Sequence, residues 1–237
     1  MKKQESIVKP EFRGPEIPGA RLVFIPFLPF PRLISEIKKL ATLTRSIHSS
    51  QLFYLKKKAV LYGPIGAPAS ISSLEKIRLL GVKEIILLSY CGSLSEDLRI
   101  GQAFIPVSAL SDEGTSRHYL ARKNKFYYPD RESLLNLKSY LERNDLSYTV
   151  GSIVSTDAPY RETPSWMKKM QKKGIRAVDM EASAVFAFSD FYGIKTAGLF
   201  IVTDELFSGC WLNGLRSQPV HETTRKYFLP LIFDDSF

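Results

Sequence analysis

Cysteine is nearly absent from this chain, which has Cys91 and Cys210 in 237 residues. Two thiols are too few for a disulfide framework, and neither stands at a metal-ligand spacing, so a reducing compartment is expected and no metal site. Long apolar runs are missing too: none is long enough to span a bilayer, and the start Met1-Lys2-Lys3-Gln4-Glu5 lacks a signal-peptide core. No membrane partner is expected, and a cytoplasmic location is. Acids are the minority charge, 24 Asp+Glu against 33 Lys+Arg, for a net charge of +9. Such an excess suits an anionic ligand such as phosphate, or a nucleic-acid or acidic-membrane surface. The basic residues are scattered, however. Their clusters at Lys56-Lys57-Lys58 and from Lys168 to Lys173 are short, and the second has helical spacing. A solvated face is expected there, and no nucleic-acid partner. Internal repeats and low-complexity segments are also absent.

What is present is enough chain for one large core. Residues 1–20, rich in Pro, Gly and charge, read as an irregular arm, and 21–237 as a single domain. The pattern predicts a first strand over 21–25, a helix over 32–44, and strands near 51–55 and 59–62. Next come a helix ending at Gly81, a strand over 84–90 and a turn at Cys91-Gly92-Ser93-Leu94, where the missing side chain of Gly92 admits a ligand to the backbone. A strand over 103–109, a helix over 131–144 and a strand over 148–155 follow. From Phe207 onward the aromatic-rich C-terminus reads as a packed tail. Alternating strands and helices, with antiparallel-looking pairs early on, define an α/β class with a mixed, curled sheet.

The most informative stretch is Ala177-Val178-Asp179-Met180-Glu181-Ala182-Ser183-Ala184, followed after a helix and an apolar strand by Val202-Thr203-Asp204. Glu181 opens a helix whose Ala182, Val185, Phe186, Ser189 and Tyr192 recur on one face. A carboxylate beside a packed face is costly to bury without hydrogen bonds, and ribose hydroxyls would supply them. Asp204 falls at the carboxyl end of a central parallel-type strand, the edge where ligands bind in open α/β sheets. Helix capping by Glu181 and turn capping by Asp204 remain equally open at this point.

Four segments, in order, resemble the type I nucleoside phosphorylase family: Gly63 to Ala69; Tyr90-Cys91-Gly92-Ser93 with Asp97 to Gly101; Asp112 to Tyr119; and Ala177 to Ala184 with Val202-Thr203-Asp204. Ser155 to Thr163 is similar to the base-site loop of its uridine-phosphorylase-like branch. The resemblance implies a three-layer αβα sandwich around a mixed sheet, assembled as a dimer or hexamer. It also implies cleavage of a nucleoside N-glycosidic bond, with inorganic phosphate as co-substrate and no cofactor. By that analogy Glu181, Met180 and His118 bind ribose. Asp204 protonates the leaving base, a purine, and Tyr160, Arg161, Cys91 and Gly92 surround it. For phosphate the matching places offer Arg32, Arg45 and Tyr90, while a proline- and phenylalanine-rich stretch, Pro26 to Pro31, stands where the family carries glycine and arginine. An arginine is the natural bidentate clamp for phosphate. Two other readings therefore stay open, a nucleosidase that uses water and a non-catalytic nucleoside binder.

Overall fold

The structure is a computed structural model that describes residues 6–27 and 31–235. Strand β1 (Arg21–Ile25) and helix α1 (Pro31–Leu40) open the fold. The meander β2 (Leu43–Ile47), β3 (Ser50–Tyr54) and β4 (Ala59–Tyr62) follows. The helix predicted over 32–44 stops at Leu40 because Leu43 to Ile47 pair antiparallel with β3, and tertiary pairing overrides the helical period. Helix α2 (Ala67–Ile77) tightens into a 3₁₀ turn and ends at Gly81, whose φ of 84° is the left-handed value a helix C-terminus asks of glycine.

Strands β5 (Glu84–Ser93) and β6 (Ala103–Asp112) come next, then a single helical turn α3 (Ser116–Tyr119), β7 (Phe126–Tyr127) and helix α4 (Arg131–Arg143). Asp130 caps α4 by accepting the Ser133 amide at 2.9 Å. Strand β8 (Thr149–Thr156), helix α5 (Pro164–Lys172), strand β9 (Ile175–Asp179) and helix α6 (Ala182–Tyr192) lead to the long β10 (Lys195–Glu205) and short β11 (Leu212–Asn213). The C-terminus forms helix α7 (Gln218–Phe233) rather than the packed tail expected from sequence. Its Val220, Thr224, Tyr227, Phe228 and Leu231 are buried at helical spacing, a face the aromatic composition disguised.

The eleven strands among the described residues make one sheet, ordered β11-β10-β6-β8-β9-β5-β1-β4-β3-β2, with β7 on β6. An additional β10–β5 pairing closes β5, β10, β6, β8 and β9 into a ring, and this is the curl the sequence suggested. Period-2 alternation divides the core. Leu22, Phe24, Ile85 and Leu87 face α2 and α6, whereas Val23, Ile25, Ile86 and Leu88 face α1, α4 and α7. The sheet is thus the middle of three layers. Full burial of each such side chain contributes roughly 1.5–3 kcal/mol. Among the described residues no helix is long and apolar enough to cross a membrane.

Candidate active site

The curl brings the carboxyl ends of β1, β5, β9 and β10 around one cavity of about 440 Å³, closed on a further side by the loop after β8. Strands β5 and β10 run parallel with Val202 opposite Cys91, and a bulge at Thr203 then sets Asp204 opposite Gly92. A bulge re-aims the side chain that follows it, and Asp204 lines the cavity. Its Oδ1 accepts from Thr203 Oγ1 at 2.7 Å and its Oδ2 from Trp211 Nε1 at 3.1 Å. Burial raises the Asp204 carboxyl above its ordinary value, and those two bonds oppose the rise without cancelling it.

The segment 91–93 predicted as a turn is strand, paired with β9 and β10. Glycine is needed at 92 for close approach instead. A Cβ there would stand 2.8 Å from Leu206 Cδ1, 3.0 Å from Asp204 Oδ2 and 3.1 Å from Val178 Cγ1. Gly92 therefore lets the Asp204 carboxylate lie against β5. Cys91 lines the same cavity, and burial pushes its thiol well up, which keeps it protonated.

Glu181 is 3% exposed and immediately precedes α6. Its side chain does not cap the helix. That role belongs to two other residues. Asp179 Oδ2 accepts the amides of Glu181 at 3.0 Å and Ala182 at 2.7 Å, and Ser155 Oγ accepts the amide of Ser183 at 2.9 Å while donating to Asp179 Oδ1 at 2.6 Å. With the first amides satisfied from outside, the Glu181 carboxyl turns into the cavity, where it accepts the Gly66 amide at 2.5 Å. Burial first, and then the neighbouring Asp179 charge, hold Glu181 well above the usual carboxylate range. Burial likewise pushes Asp179 up to about 6, against the hydrogen bonds it accepts. Met180 lies between the two acids in sequence and also lines the cavity.

The loop after β8 is where the sequence reading and the structure differ most. Tyr160 touches the cavity but is 94% exposed, and Arg161 is exposed and outside the lining. A 3₁₀ turn over Pro159–Arg161 rotates the next residue, Glu162, inward. Burial, and then the Asp204 charge, push Glu162 up to about 7. The sequence reading assigns Glu162 no role in the site. The usable signal was the proline two residues before Arg161, which starts a turn and reverses the side chains after it.

The remaining predicted residues lie elsewhere. His118 is exposed on α3 and Arg45 is exposed on β2, its Nη1 donating to the Arg13 carbonyl at 3.0 Å, and neither lines this cavity. Arg32 stands in the first turn of α1, with its side chain outside the described residues. Tyr90 does line the cavity, stacked on Phe27 with ring centroids 4.1 Å apart, its hydroxyl 3.1 Å from Thr224 Oγ1. Among the described residues no group of three or more His, Cys, Asp or Glu could hold a metal ion.

Comparison with known proteins gives the family and the fold. The sequence profile of the phosphorylase superfamily matches residues 30–225, and the chain belongs to that family. Among curated relatives, a guanosine phosphorylase of Halorubrum lacusprofundi is 30% identical over 61% of this chain and 60% of its own length. A DeoD-type purine nucleoside phosphorylase of Pectobacterium atrosepticum is 29% identical over 65% of each. The chain thus spans rather less than two thirds of the length of these relatives. Of the solved structures, purine nucleoside phosphorylase from Toxoplasma gondii in complex with immucillin-H superposes with a TM-score of 0.73 at 21% identity, covering 95% of each chain. Uridine phosphorylase from Vibrio fischeri ES114 gives 0.73 at 20% identity over 90% of each. The nucleoside phosphorylase fold expected from sequence is the fold observed.

Proposed function

We propose that the protein is a pentosyltransferase that cleaves the N-glycosidic bond of a purine nucleoside with inorganic phosphate, giving free base and a pentose 1-phosphate. The observation that carries this reading is the convergence of Glu181, Met180, Gly92 and Asp204 on one cavity. Glycosidic cleavage passes through an oxocarbenium-like state, so one group must hold the sugar hydroxyls while another neutralises the departing base. Glu181, freed from helix capping, hydrogen-bonds the sugar hydroxyls, with Met180 packed beside the ring. Asp204, whose carboxyl is raised above its ordinary value by burial, donates to the imidazole nitrogen of the leaving purine. General-acid assistance of this kind is worth about 10²–10⁴-fold.

Glu162 faces the same base position, and its carboxyl has no hydrogen bond or ion pair among the described residues. An acceptor there suits the N–H-bearing edge of a 6-oxopurine, so guanosine and inosine are favoured over adenosine. The guanosine phosphorylase among the relatives supports that preference, and the names of both curated relatives support phosphate as the attacking group. His118 and Arg45, outside their own chain's cavity, serve a neighbour's in a homo-oligomer. Arg32 and Tyr90 are assigned to the phosphate side, and the cytoplasm is the proposed location.

The test is product analysis with guanosine, inosine, adenosine and uridine, each with and without phosphate. Ribose 1-phosphate and free base, formed from the 6-oxopurine nucleosides and only when phosphate is present, is the expected result. Free ribose at equal rates without phosphate would overturn the phosphorylase reading.

A further inference from the structure

Behind the cavity lies a second buried acid that the proposed chemistry does not use. Glu113, 8% exposed, follows β6 and turns away from the solvent toward α6. Its Oε1 accepts from Ser111 Oγ at 2.6 Å and from Ser183 Oγ at 3.0 Å, and its Oε2 accepts the amides of Ser116 at 3.1 Å and of Thr115. Ser116 Oγ donates in turn to Ser183 Oγ at 3.3 Å. Ser183 therefore links two acids. Its hydroxyl is tied to Glu113, and its amide is tied to Ser155, which holds Asp179 at 2.6 Å. The path is continuous from the loop after β6, through α6 and β8, to the residue that caps α6 in place of Glu181.

We infer that Glu113 and Ser155 are positioning residues for the sugar-binding acid: by fixing Ser183 and Asp179 on the first amides of α6, they keep the Glu181 carboxyl out of the helix cap and aimed into the cavity. The physical reason is competition. A carboxylate at a helix N-terminus is drawn to the free amides there, and without a surrogate cap Glu181 would fold back onto its own helix. Here those amides are already occupied. The acids are also arranged by bonding. Burial works to raise Glu113, yet the bonds from Ser111, Ser116 and Thr115 hold it below the usual carboxylate range. Its charge is then one of the influences raising Asp179. Glu113, Glu181 and Cys91 are the titratable groups around Asp179.

This inference rests on the proposed role of Glu181 in holding the sugar. Two variants separate it from that role. Ser155→Ala removes a donor to Asp179 and the acceptor for the Ser183 amide. Ser183→Ala removes the tie to Glu113 and the acceptor for the Ser116 hydroxyl, and leaves Ser155 and Asp179 bonded to each other. A carbon-13 titration of the side-chain carboxyls needs no substrate. In Ser155→Ala, Asp179 should titrate higher by roughly half a unit or more, since a bond favouring its charged form is gone. In both variants the nucleoside KM should rise roughly tenfold, with kcat within about threefold. A merely structural role would lower the melting temperature without moving the titration. Unchanged Asp179 and Glu181 titrations in Ser155→Ala would overturn the inference. So would an unchanged nucleoside KM in both variants. If the wild-type protein turns over no nucleoside, the functional reading fails, and the titration alone still decides the linkage.

Discussion

Toward β10 the cavity is walled by acids, with Asp204 under Trp211 and Glu162 across from it. Toward β1 it is walled by rings, with Phe27 stacked on Tyr90 and Phe228 6.2 Å from both. The acid wall stores unfavourable energy. Burial raises Asp204, Glu162, Asp179 and Glu181 alike, so each would be more comfortable in water. The aromatic wall does the opposite, for its rings bury apolar area and continue directly into the core formed with α7. Strained polar groups held by their surroundings mark the part of a fold built for chemistry, whereas well-packed rings mark the part that holds it up. None of the described residues lining the cavity is a lysine, arginine or histidine.

This contrast breaks most visibly if the acid variants fail to separate activity from stability. Asp204→Asn and Glu181→Gln should each lower kcat/KM by about 10²–10⁴-fold while leaving the melting temperature level or slightly raised. Both acids are held above their ordinary range, and an amide removes the cost of their charge. A steady-state assay beside a thermal melt checks both halves. The aromatic wall should answer the other way. Phe27→Ala deletes a buried ring at a stacked site and should cost about 3–5 kcal/mol of stability, visible in urea denaturation. Its effect on turnover at permissive temperature should be far smaller than that of Asp204→Asn. Equal loss of activity in the two would erase the distinction between the walls.

Glu162 tests whether the acid wall also selects the base. Its carboxyl is raised to about 7 in the fold, against about 4.3 for a free glutamate. The unfolded chain ionises first as pH rises, so the folded state is penalised increasingly between those two values and by a constant amount above them. Glu162→Gln should therefore raise the melting temperature at pH 8 by about 2–4 °C, the equivalent of roughly 1 kcal/mol at this size, and leave it unchanged at pH 4. The same variant should narrow the preference for guanosine over adenosine by roughly tenfold.

The two walls were not equally legible in the sequence. Asp204, Glu181 and Met180 were singled out through the family resemblance, because the residues alone left capping roles for the two acids equally open. The sheet class followed from the alternation of strands with helices, and most strands from short apolar runs. The conformation of Gly92 did not, since a glycine after an apolar run looks the same whether it makes a turn or leaves room for a carboxylate that an added Cβ would meet at 3.0 Å. Strand β9 was too short to stand out between a basic helix and the acid motif. Asp179 was visible as an acid, but its role as the cap of α6 depends on Ser155, 24 residues away in sequence. The aromatic wall could not be read at all, because the Phe27–Tyr90 stack joins the segment after β1 to β5, and local pattern carries no trace of such a partner.

The finest test of the acid wall is Trp211, an exposed residue whose indole N–H donates to Asp204 Oδ2 at 3.1 Å. A bond to the charged form of an acid lowers its pKa, and the Trp211 bond pulls Asp204 down against burial. Trp211→Phe keeps most of the ring and removes the donor, so the Asp204 carboxyl should rise further. A general acid must be protonated to act, and a higher pKa extends its protonated range upward. The alkaline limb of the kcat profile should therefore move to higher pH by a few tenths of a unit, the size expected of one exposed hydrogen bond. At the old optimum the rate should change less than about threefold, because a weaker acid donates less readily even as more of it is protonated. An acidic limb that moves to higher pH while the alkaline limb stays in place would mean that Asp204 acts as a base in its charged form, and the roles of the two acids would have to be exchanged.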